Sequence, residues 1–190
     1  MIPQVLTGGF ADTAVDAARA FRVLLQAMAR PGTVHDLGTA LPPDGLSPAA
    51  GTALLTLADG TTPVFLAGSA DCAAVRGWIA FHIGAPISGP QDAVFAVGPL
   101  ADLTPHADRL RLGDPAYPDR SATLIAEVDR LTPGNTRLTG PGIRDAAFLA
   151  LPQAGMFRRN AQHFPLGFDS YLTCGRQIAG LPRSTRLEDC

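Results

Sequence analysis

The sequence predicts a three-layer α/β/α domain in which helices cover both faces of a mixed β-sheet. Its length of 190 residues suits a single hydrophobic core, so residues 1–190 are expected to form one domain. Helical and strand patterns alternate through the first half, which is typical of a layered α/β fold. Extended patterns follow one another in the second half, so the sheet is not expected to be purely parallel.

The first predicted helix covers residues 13–28. Asp12 or Thr13 can cap its start, and the "RPG" at 30–32 ends it. Its apolar residues recur at helical spacing and form one stripe. The stripe consists of Ala14, Ala17, Ala18, Phe21, Leu24, Leu25 and Met28.

Two further helices and three strands are predicted in the first half. One helix is capped by Ser47, has Pro48 at its first position and stops at the Asp-Gly pair 59–60. The other spans 71–84 and closes on a glycine. The strands of this half are 33–37, 62–67 and 92–98.

The second half begins with residues 99–120, which are rich in Pro, Asp and Gly and predict a long irregular connection. Residues 122–131 predict a strand with alternating faces, and 135–140 is expected to pair with it after a Pro-Gly turn. The remaining predicted elements are a helix at 152–162 and two strands, 169–175 and 176–181, joined by a tight turn at Gly175.

Composition excludes several classes of protein. All fifteen cationic side chains of the Lys/Arg type are arginine, so the chain has no lysine for the Schiff base of pyridoxal phosphate enzymes or for a Walker A loop. A net charge of −2 gives no basic surface for nucleic acid or an anionic membrane, and no apolar run approaches the roughly 20 residues of a membrane span. The hydrophobic content of 46% favours apolar surface that a partner covers.

The opening "MIPQVLTGGFAD" lacks the basic and apolar segments of a secretory signal. The three cysteines, Cys72, Cys174 and Cys190, are far apart and in no metal-binding spacing. Together these features predict a reduced, cytoplasmic protein.

No catalytic residue, cofactor site or metal site is predicted. "LAGSAD" at 66–71 puts Ser69 between a predicted strand and a predicted helix, as in α/β-hydrolases. However, Ala67 and Asp71 stand where the nucleophile motif needs glycines, so Ser69 is expected to be a turn or capping residue. The histidines are scattered, and no HExxH, DxD or EF-hand spacing occurs.

Two segments carry residue types that bind anions. In "TGPGIRD" (139–145), Gly140 and Gly142 could let backbone amides approach a phosphate while Arg144 adds charge; the alternative is an ordinary turn at the end of a strand. In the closing stretch "GLPRSTRLEDC", Arg183 is the corresponding candidate.

The closing stretch also poses a geometric question, because Arg183 and Arg186 lie three residues apart. In an extended chain they point to opposite sides, so they share one small anion only if the segment turns between them. Otherwise the segment contacts two surfaces, or one arginine is bonded inward. We interpret the stretch as a rigid, partly buried segment that finishes the sheet and helps to shape a contact surface.

"RRNAQHFPLGFD" (158–169) combines arginines and aromatic residues, which are enriched at the centres of interfaces. The alternative is a helix end whose two phenylalanines pack into the core, and spacing does not decide between them. The interface candidates are Arg158, Arg159, Phe164, Phe168 and Arg186.

Four motifs, in this order, resemble the H-subunit family (PhnH) of the bacterial carbon–phosphorus lyase system, and the resemblance covers nearly the whole chain. The motifs are "AMARPG" (27–32), "LTGPGI" (138–143), "FPLGFD" (164–169) and "LPRSTR" (181–186).

The resemblance implies a role in phosphonate catabolism, within a core complex containing the G, I and J subunits. It implies a homodimer when the subunit is isolated and the J subunit as the most direct partner in the complex. With the L subunit, that complex joins methylphosphonate to the ribose of ATP, displaces adenine and yields ribose 1-methylphosphonate 5-triphosphate. The implied fold is similar to the large domain of pyridoxal phosphate-dependent transferases, without the cofactor, and no catalytic residues are implied for the H subunit.

The first hypothesis is therefore a non-catalytic structural subunit of this complex. The alternative is a phosphate- or nucleotide-binding module, in which the "GPGIR" loop and one C-terminal arginine hold a substrate or intermediate. A hydrolase that uses Ser69 is the third and lacks its expected motif.

Overall fold

The computed structural model of the protein describes residues 6–189, whose nine strands form two separate sheets. The larger sheet has six strands in the order β1-β8-β7-β4-β3-β2, and the smaller has three in the order β6-β5-β9. The strands are β1 (Val34–Asp36), β2 (Val64–Leu66), β3 (Phe95–Pro99), β4 (Thr123–Glu127), β5 (Thr136–Thr139), β6 (Ala147–Leu149), β7 (Asp169–Cys174), β8 (Gln177–Leu181) and β9 (Arg186–Asp189).

The larger sheet is mixed, as the sequence predicts. Strands β2, β3, β4 and β7 are parallel, whereas β8 is antiparallel to β7 and β1 is antiparallel to β8. A two-residue turn joins β7 to β8, and its Gly175 has a φ of +58°, a conformation that favours glycine. The predicted final strand pair and its tight turn are confirmed.

Residues 6–189 form five α-helices, three over one face of the larger sheet and two in the core on its opposite side. The helices are α1 (Thr13–Ala29), α2 (Pro48–Leu57), α3 (Ala73–His82), α4 (Leu100–Leu103) and α5 (Ala154–Ala161). α1, α2 and α3 share an apolar core with one face of the sheet. The other core combines the opposite face with α4, α5 and the small sheet. One outer layer is therefore part helix and part sheet, which corrects the prediction of two helical outer layers.

The helix starts follow local signals in two of three cases. The side chains of Asp12 and Ser47 each accept a hydrogen bond from the backbone N–H three residues later, at 3.1 Å, and so cap α1 and α2. Asp71, expected to open the third helix, instead forms an ion pair with Arg76 at 2.5 Å. Cys72 precedes α3 without a capping side chain.

Three predictions for the second half need correction. Residues 135–140 were expected to pair with 122–131, but β5 pairs with β6 and β9, because β3 and β7 already occupy both edges of β4. The middle of β4 is buried without alternation, as is usual for a central parallel strand. The connection 99–120 contains α4 and two 3-10 turns, Thr104–Arg109 and Pro118–Arg120.

One face of α1 is left uncovered. We define the α1 apolar face as Ala14, Ala18, Phe21 and Leu25, all of which are exposed. Phe21 is 51% exposed and Leu25 is 54% exposed, so much of the predicted stripe faces away from the core. The buried side of the helix consists of Ala20, Leu24 and Ala27.

Within residues 6–189, no helix combines the length and the apolar character needed to cross a bilayer. Cys72 and Cys174 are free thiols. Cys190 and the first five residues, on which the expectation of a reduced cytoplasmic protein also rested, lie outside the described residues.

Candidate functional site

Arg183 is bonded inward and fixes the C-terminal segment to the larger sheet. Its Nε and Nη2 donate to the two carboxylate oxygens of Asp169 at 3.1 and 2.6 Å. Nη1 donates to the Pro118 carbonyl at 2.9 Å, and Nη2 also donates to the Ser121 hydroxyl at 2.6 Å. The Arg183 side chain is only 12% exposed, and Asp169 compensates its charge. Arg183 is therefore a structural anchor rather than the free anion contact that was predicted.

The chain turns directly after this anchor. The Thr185 N–H donates to the Pro182 carbonyl at 3.0 Å, and β9 begins at Arg186. The turn lets both arginines line one open cavity of about 480 Å³, which we call the C-terminal cavity. It is lined by Gly140, Pro141, Ala161, Phe164, Arg183, Ser184, Thr185 and Arg186.

The C-terminal cavity brings together residues that the sequence analysis assigned to different roles. Gly140 and Arg183 were anion candidates, whereas Phe164 and Arg186 were interface candidates. Gly140 directly follows β5 and has a φ of +135°, and a Cβ added there would lie 3.1 Å from the Ser184 carbonyl oxygen. A glycine at this position therefore permits the close approach of the two segments.

Three side chains give this cavity its chemical character. The hydroxyl of Thr185 is buried and has no hydrogen-bond partner within the described part of the chain. Arg186 is exposed and takes part in no ion pair or side-chain hydrogen bond there. Phe164 is 61% exposed. The cavity thus offers an exposed guanidinium and an aromatic ring, whereas the Thr185 hydroxyl oxygen has no accessible surface.

Gly142 and Arg144 do not line this cavity. Gly142 has a φ of +81°, and a Cβ there would lie 2.2 Å from the Ala29 carbonyl oxygen, so its glycine is explained by packing against the end of α1. The Arg144 side chain is 97% exposed, and its nearest acid is Asp145 at 3.9 Å. The anion loop expected at 139–145 therefore contributes only Gly140 to the site.

Phe168 follows the core-packing alternative. It is 3% exposed, and its backbone N–H and carbonyl both bond to the side-chain amide of Asn160, at 2.9 and 2.8 Å. Phe168 is thus withdrawn from the interface candidates. Arg158 is partly buried and Arg159 is exposed beside a smaller cavity of about 230 Å³, and their interface role stays a prediction.

The sequence analysis missed Glu127, which lies at the carboxyl end of β4. Burial raises the pKa of its carboxyl above the ordinary value of 4.5, and hydrogen bonds from Ser47 and Thr173 oppose that rise. The carboxylate accepts from the Ser47 N–H at 2.7 Å, at the start of α2. Glu127 thus supports a helix N-terminus, where a negative charge is favourable. Its position at the end of a central strand is the only signal in the sequence.

Ser69 lies exposed in a 3-10 turn, Gly68–Ala70, and forms no hydrogen bond to a histidine or carboxylate in the described structure. Three or more His, Cys, Asp or Glu side chains do not cluster anywhere in residues 6–189 in a way that could hold a metal ion. The turn or capping interpretation of Ser69 agrees with its placement.

Comparison with known proteins gives one family and two close relatives. The model of the family described as bacterial phosphonate metabolism protein (PhnH) matches residues 8–188. A Rhizobium meliloti protein named α-D-ribose 1-methylphosphonate 5-triphosphate synthase subunit PhnH is 38% identical over 193 residues, covering 97% of this chain and 96% of the relative. A Stutzerimonas stutzeri protein, named putative C-P lyase subunit protein HtxG, is 31% identical over 181 residues, covering 88% and 84% of the two chains.

Proposed function

This chain belongs to the PhnH family of bacterial phosphonate metabolism proteins, and from that premise we propose that it is a non-catalytic structural subunit of a carbon–phosphorus lyase core complex. Both relatives carry the word subunit in their names, and one name specifies the synthase of α-D-ribose 1-methylphosphonate 5-triphosphate. The near-complete coverage of both chains supports a shared role. In this proposal, the complex forms that product from ATP and methylphosphonate in the cytoplasm, and this chain helps to assemble it.

The α1 apolar face is the observation that carries the proposal. Helices of a single domain normally bury their apolar stripe, yet this face has Phe21 and Leu25 half exposed. Complete burial of such a side chain contributes roughly 1.5–3 kcal/mol, so finishing the burial of each half-covered residue contributes about 1 kcal/mol. A partner that covers the whole face gains several such increments before the costs of association.

We propose that one face serves two associations. In the isolated subunit it pairs with a second copy, and in the complex it contacts the other subunits, namely G, I and J, with J the most direct partner. An apolar surface can form a symmetric pair, in which the same residues meet from both sides. The proposal includes the fold relationship to the large domain of pyridoxal phosphate-dependent transferases, which the mixed sheet supports.

The test is the mass of the purified full-length chain by size-exclusion chromatography with light scattering at micromolar concentration. The wild type is expected to run as a dimer, and the variant Phe21→Ser/Leu25→Ser as a folded monomer. Phe81→Ser is the matched control, because Phe81 is 58% exposed on α3. It should leave the dimer intact.

A second arm co-expresses the tagged chain with its neighbouring subunits. The α1 double variant should recover less of the complex than the Phe81→Ser control. A monomeric wild type, or equal recovery of the complex by both variants, contradicts the assignment of this face.

A further inference from the structure

We propose that the C-terminal cavity is a docking site for an extended, acidic segment of a partner protein. A carboxylate of that segment pairs with Arg186, and an apolar side chain of the segment packs against Phe164. The site is separate from the α1 apolar face and goes beyond the association assigned to that face. It also joins two expectations from the sequence, because both residues were candidates for an interface and the closing stretch was a candidate for binding an anion.

The first observation is the balance of charge around the cavity. Asp169 neutralises Arg183, and Glu188 forms an ion pair with Arg137 on the neighbouring strand at 2.6 Å. Arg186 is exposed and forms no ion pair among the described residues, and those that line the cavity include no acidic side chain. A guanidinium binds carboxylates through charge-assisted hydrogen bonds, often two at once. An acidic occupant therefore supplies the charge that the cavity lacks.

The second observation is an exposed aromatic ring on an ordered turn. Phe164 lines the cavity and is 61% exposed. Its N–H donates to the Ala161 carbonyl at 3.3 Å, and three residues later the Gly167 N–H donates to the Leu112 carbonyl at 2.9 Å. Because this backbone is already held in place, binding to the ring costs little conformational entropy. Aromatic and arginine side chains are also the types that most often dominate the binding energy of protein interfaces.

The third observation favours a polypeptide over a small molecule. Arg186 is the first residue of β9, and β9 lies at the edge of the small sheet with β5 as its neighbour. Edge strands can accept an extended peptide as a further strand, and alternate side chains of such a peptide point to the same side. An acidic and an apolar side chain at alternate positions can therefore enter the cavity together.

The cavity also lies next to the helix that carries the α1 apolar face. The wall formed by Gly140 and Pro141 continues into Gly142, where an added Cβ would lie 2.2 Å from the Ala29 carbonyl oxygen. Ala29 ends α1, one turn beyond Leu25. A protein bound along this helix has the cavity close by, and a second contact within one complex adds to its affinity.

The experiment selects phage-displayed random heptapeptides on the immobilised full-length chain, after removal of those that bind a Phe164→Ser/Arg186→Gln variant. The recovered peptides should share an Asp or Glu two positions from a large apolar residue. A consensus without an acid refutes the contact with Arg186, and one without an apolar residue refutes the contact with Phe164. A different spacing refutes the extended geometry. Recovery of no consensus overturns the docking site.

Single variants then test each contact by fluorescence anisotropy with the consensus peptide. Arg186→Gln should weaken binding by about tenfold, the lower end for a charge-assisted hydrogen bond because the side chain is exposed. Phe164→Ser should weaken it by about five- to tenfold, because the peptide completes the burial of the ring. Arg144→Gln and Phe81→Ser make the same changes on exposed side chains outside the cavity and should leave binding unchanged. Equal weakening by a variant and its control overturns the assignment.

Two measurements separate this site from the α1 association. The variant Phe21→Ser/Leu25→Ser should bind the consensus peptide as the wild type does, and Arg186→Gln should keep the wild-type mass and urea midpoint. Loss of peptide binding in the α1 variant, or a monomeric Arg186→Gln protein, would show one shared surface and overturn the proposal of a separate site. Because the peptide titration does not depend on the mass of the chain, failure of either proposal is visible without the other.

Discussion

Arg183→Ala should destabilise the whole domain, because Arg183 ties three separate segments together. Its guanidinium bonds to Asp169 in β7, to the Pro118 carbonyl and to the Ser121 hydroxyl before β4. Alanine removes all four of these hydrogen bonds. The backbone N–H of residue 183, which donates to Asp169 at 2.9 Å, is retained.

The expected loss can be worked from burial. Removing one partner of a fully buried ion pair costs about 3–5 kcal/mol, since the other charge is left uncompensated. Asp169 is 29% exposed and keeps its bond to the backbone N–H, so water and that bond offset part of the loss. We therefore expect a decrease of about 2–3 kcal/mol in the free energy of unfolding. In a domain of this size, that corresponds to a fall in Tm of roughly 4–12 °C.

The assay is urea unfolding of the wild type, Arg183→Ala and the control Arg137→Ala. Arg137 also pairs with an acid on the C-terminal segment, Glu188 at 2.6 Å, but the two side chains are 40% and 55% exposed. An exposed pair contributes about 0–1 kcal/mol, so the control should lose little. Equal midpoints for Arg183→Ala and Arg137→Ala would refute the view that the inward ion pair anchors the segment.

Two further predictions concern the side of the larger sheet that α1 and α2 cover. The raised pKa of Glu127 means that its contribution to stability is fully present below the ordinary pKa of 4.5 and is lost as the pH rises through the folded value. The Glu127→Gln variant has no carboxyl to ionise at this position. Urea unfolding at several pH values should therefore show the wild type losing stability relative to the variant from pH 4.5 towards neutrality. A difference between the two proteins that stays constant with pH contradicts this. Gly180→Ala should cost about 1–3 kcal/mol in the same assay, because its Cβ would lie 2.4 Å from the Ala27 carbonyl oxygen and force β8 away from α1. Gly155→Ala is the control, since its Cβ meets only the end of Arg159 at 3.8 Å within a helix, and alanine should leave stability equal or higher.

The helices and the hairpin β7–β8 could be predicted because their signals are local. Asp12 and Ser47 cap the helices that immediately follow them, and Gly175 makes the turn between the two strands that flank it. A cap or a tight turn is decided by residues within three or four positions. Such features need no knowledge of the rest of the chain.

The partner of β5 could not be predicted because it depends on distant strands. Residues 135–140 follow β4 closely, so a hairpin was the simplest local solution. The edges of β4 are instead taken by β3 and by β7. Strand β7 begins more than 40 residues after β4 ends. Competition for an edge is a property of the complete sheet, and no short pattern reports it.

The candidate site was predicted by residue type and not by arrangement. Arg183 and Arg186 were both identified, but only the turn at Thr185 shows that one is anchored inward while the other stays exposed. Gly142 looked like part of an anion loop because a glycine required by packing and a glycine required by a ligand are identical in sequence. Its reason is the Ala29 carbonyl, from a segment more than 100 positions away.

The pairing of β1 with β8 has a consequence for synthesis on the ribosome. It joins parts of the chain 140 residues apart, as the Asp36–Arg176 ion pair shows, and β8 is also the strand that packs against α1. At roughly 5–20 residues per second, α1 emerges on the order of ten seconds before the strand that will cover it. Throughout that interval the nascent helix presents apolar residues on two sides, the side that the core later buries and the α1 apolar face. The nascent chain is therefore prone to aggregate through its first helix, where holding chaperones would be expected to bind.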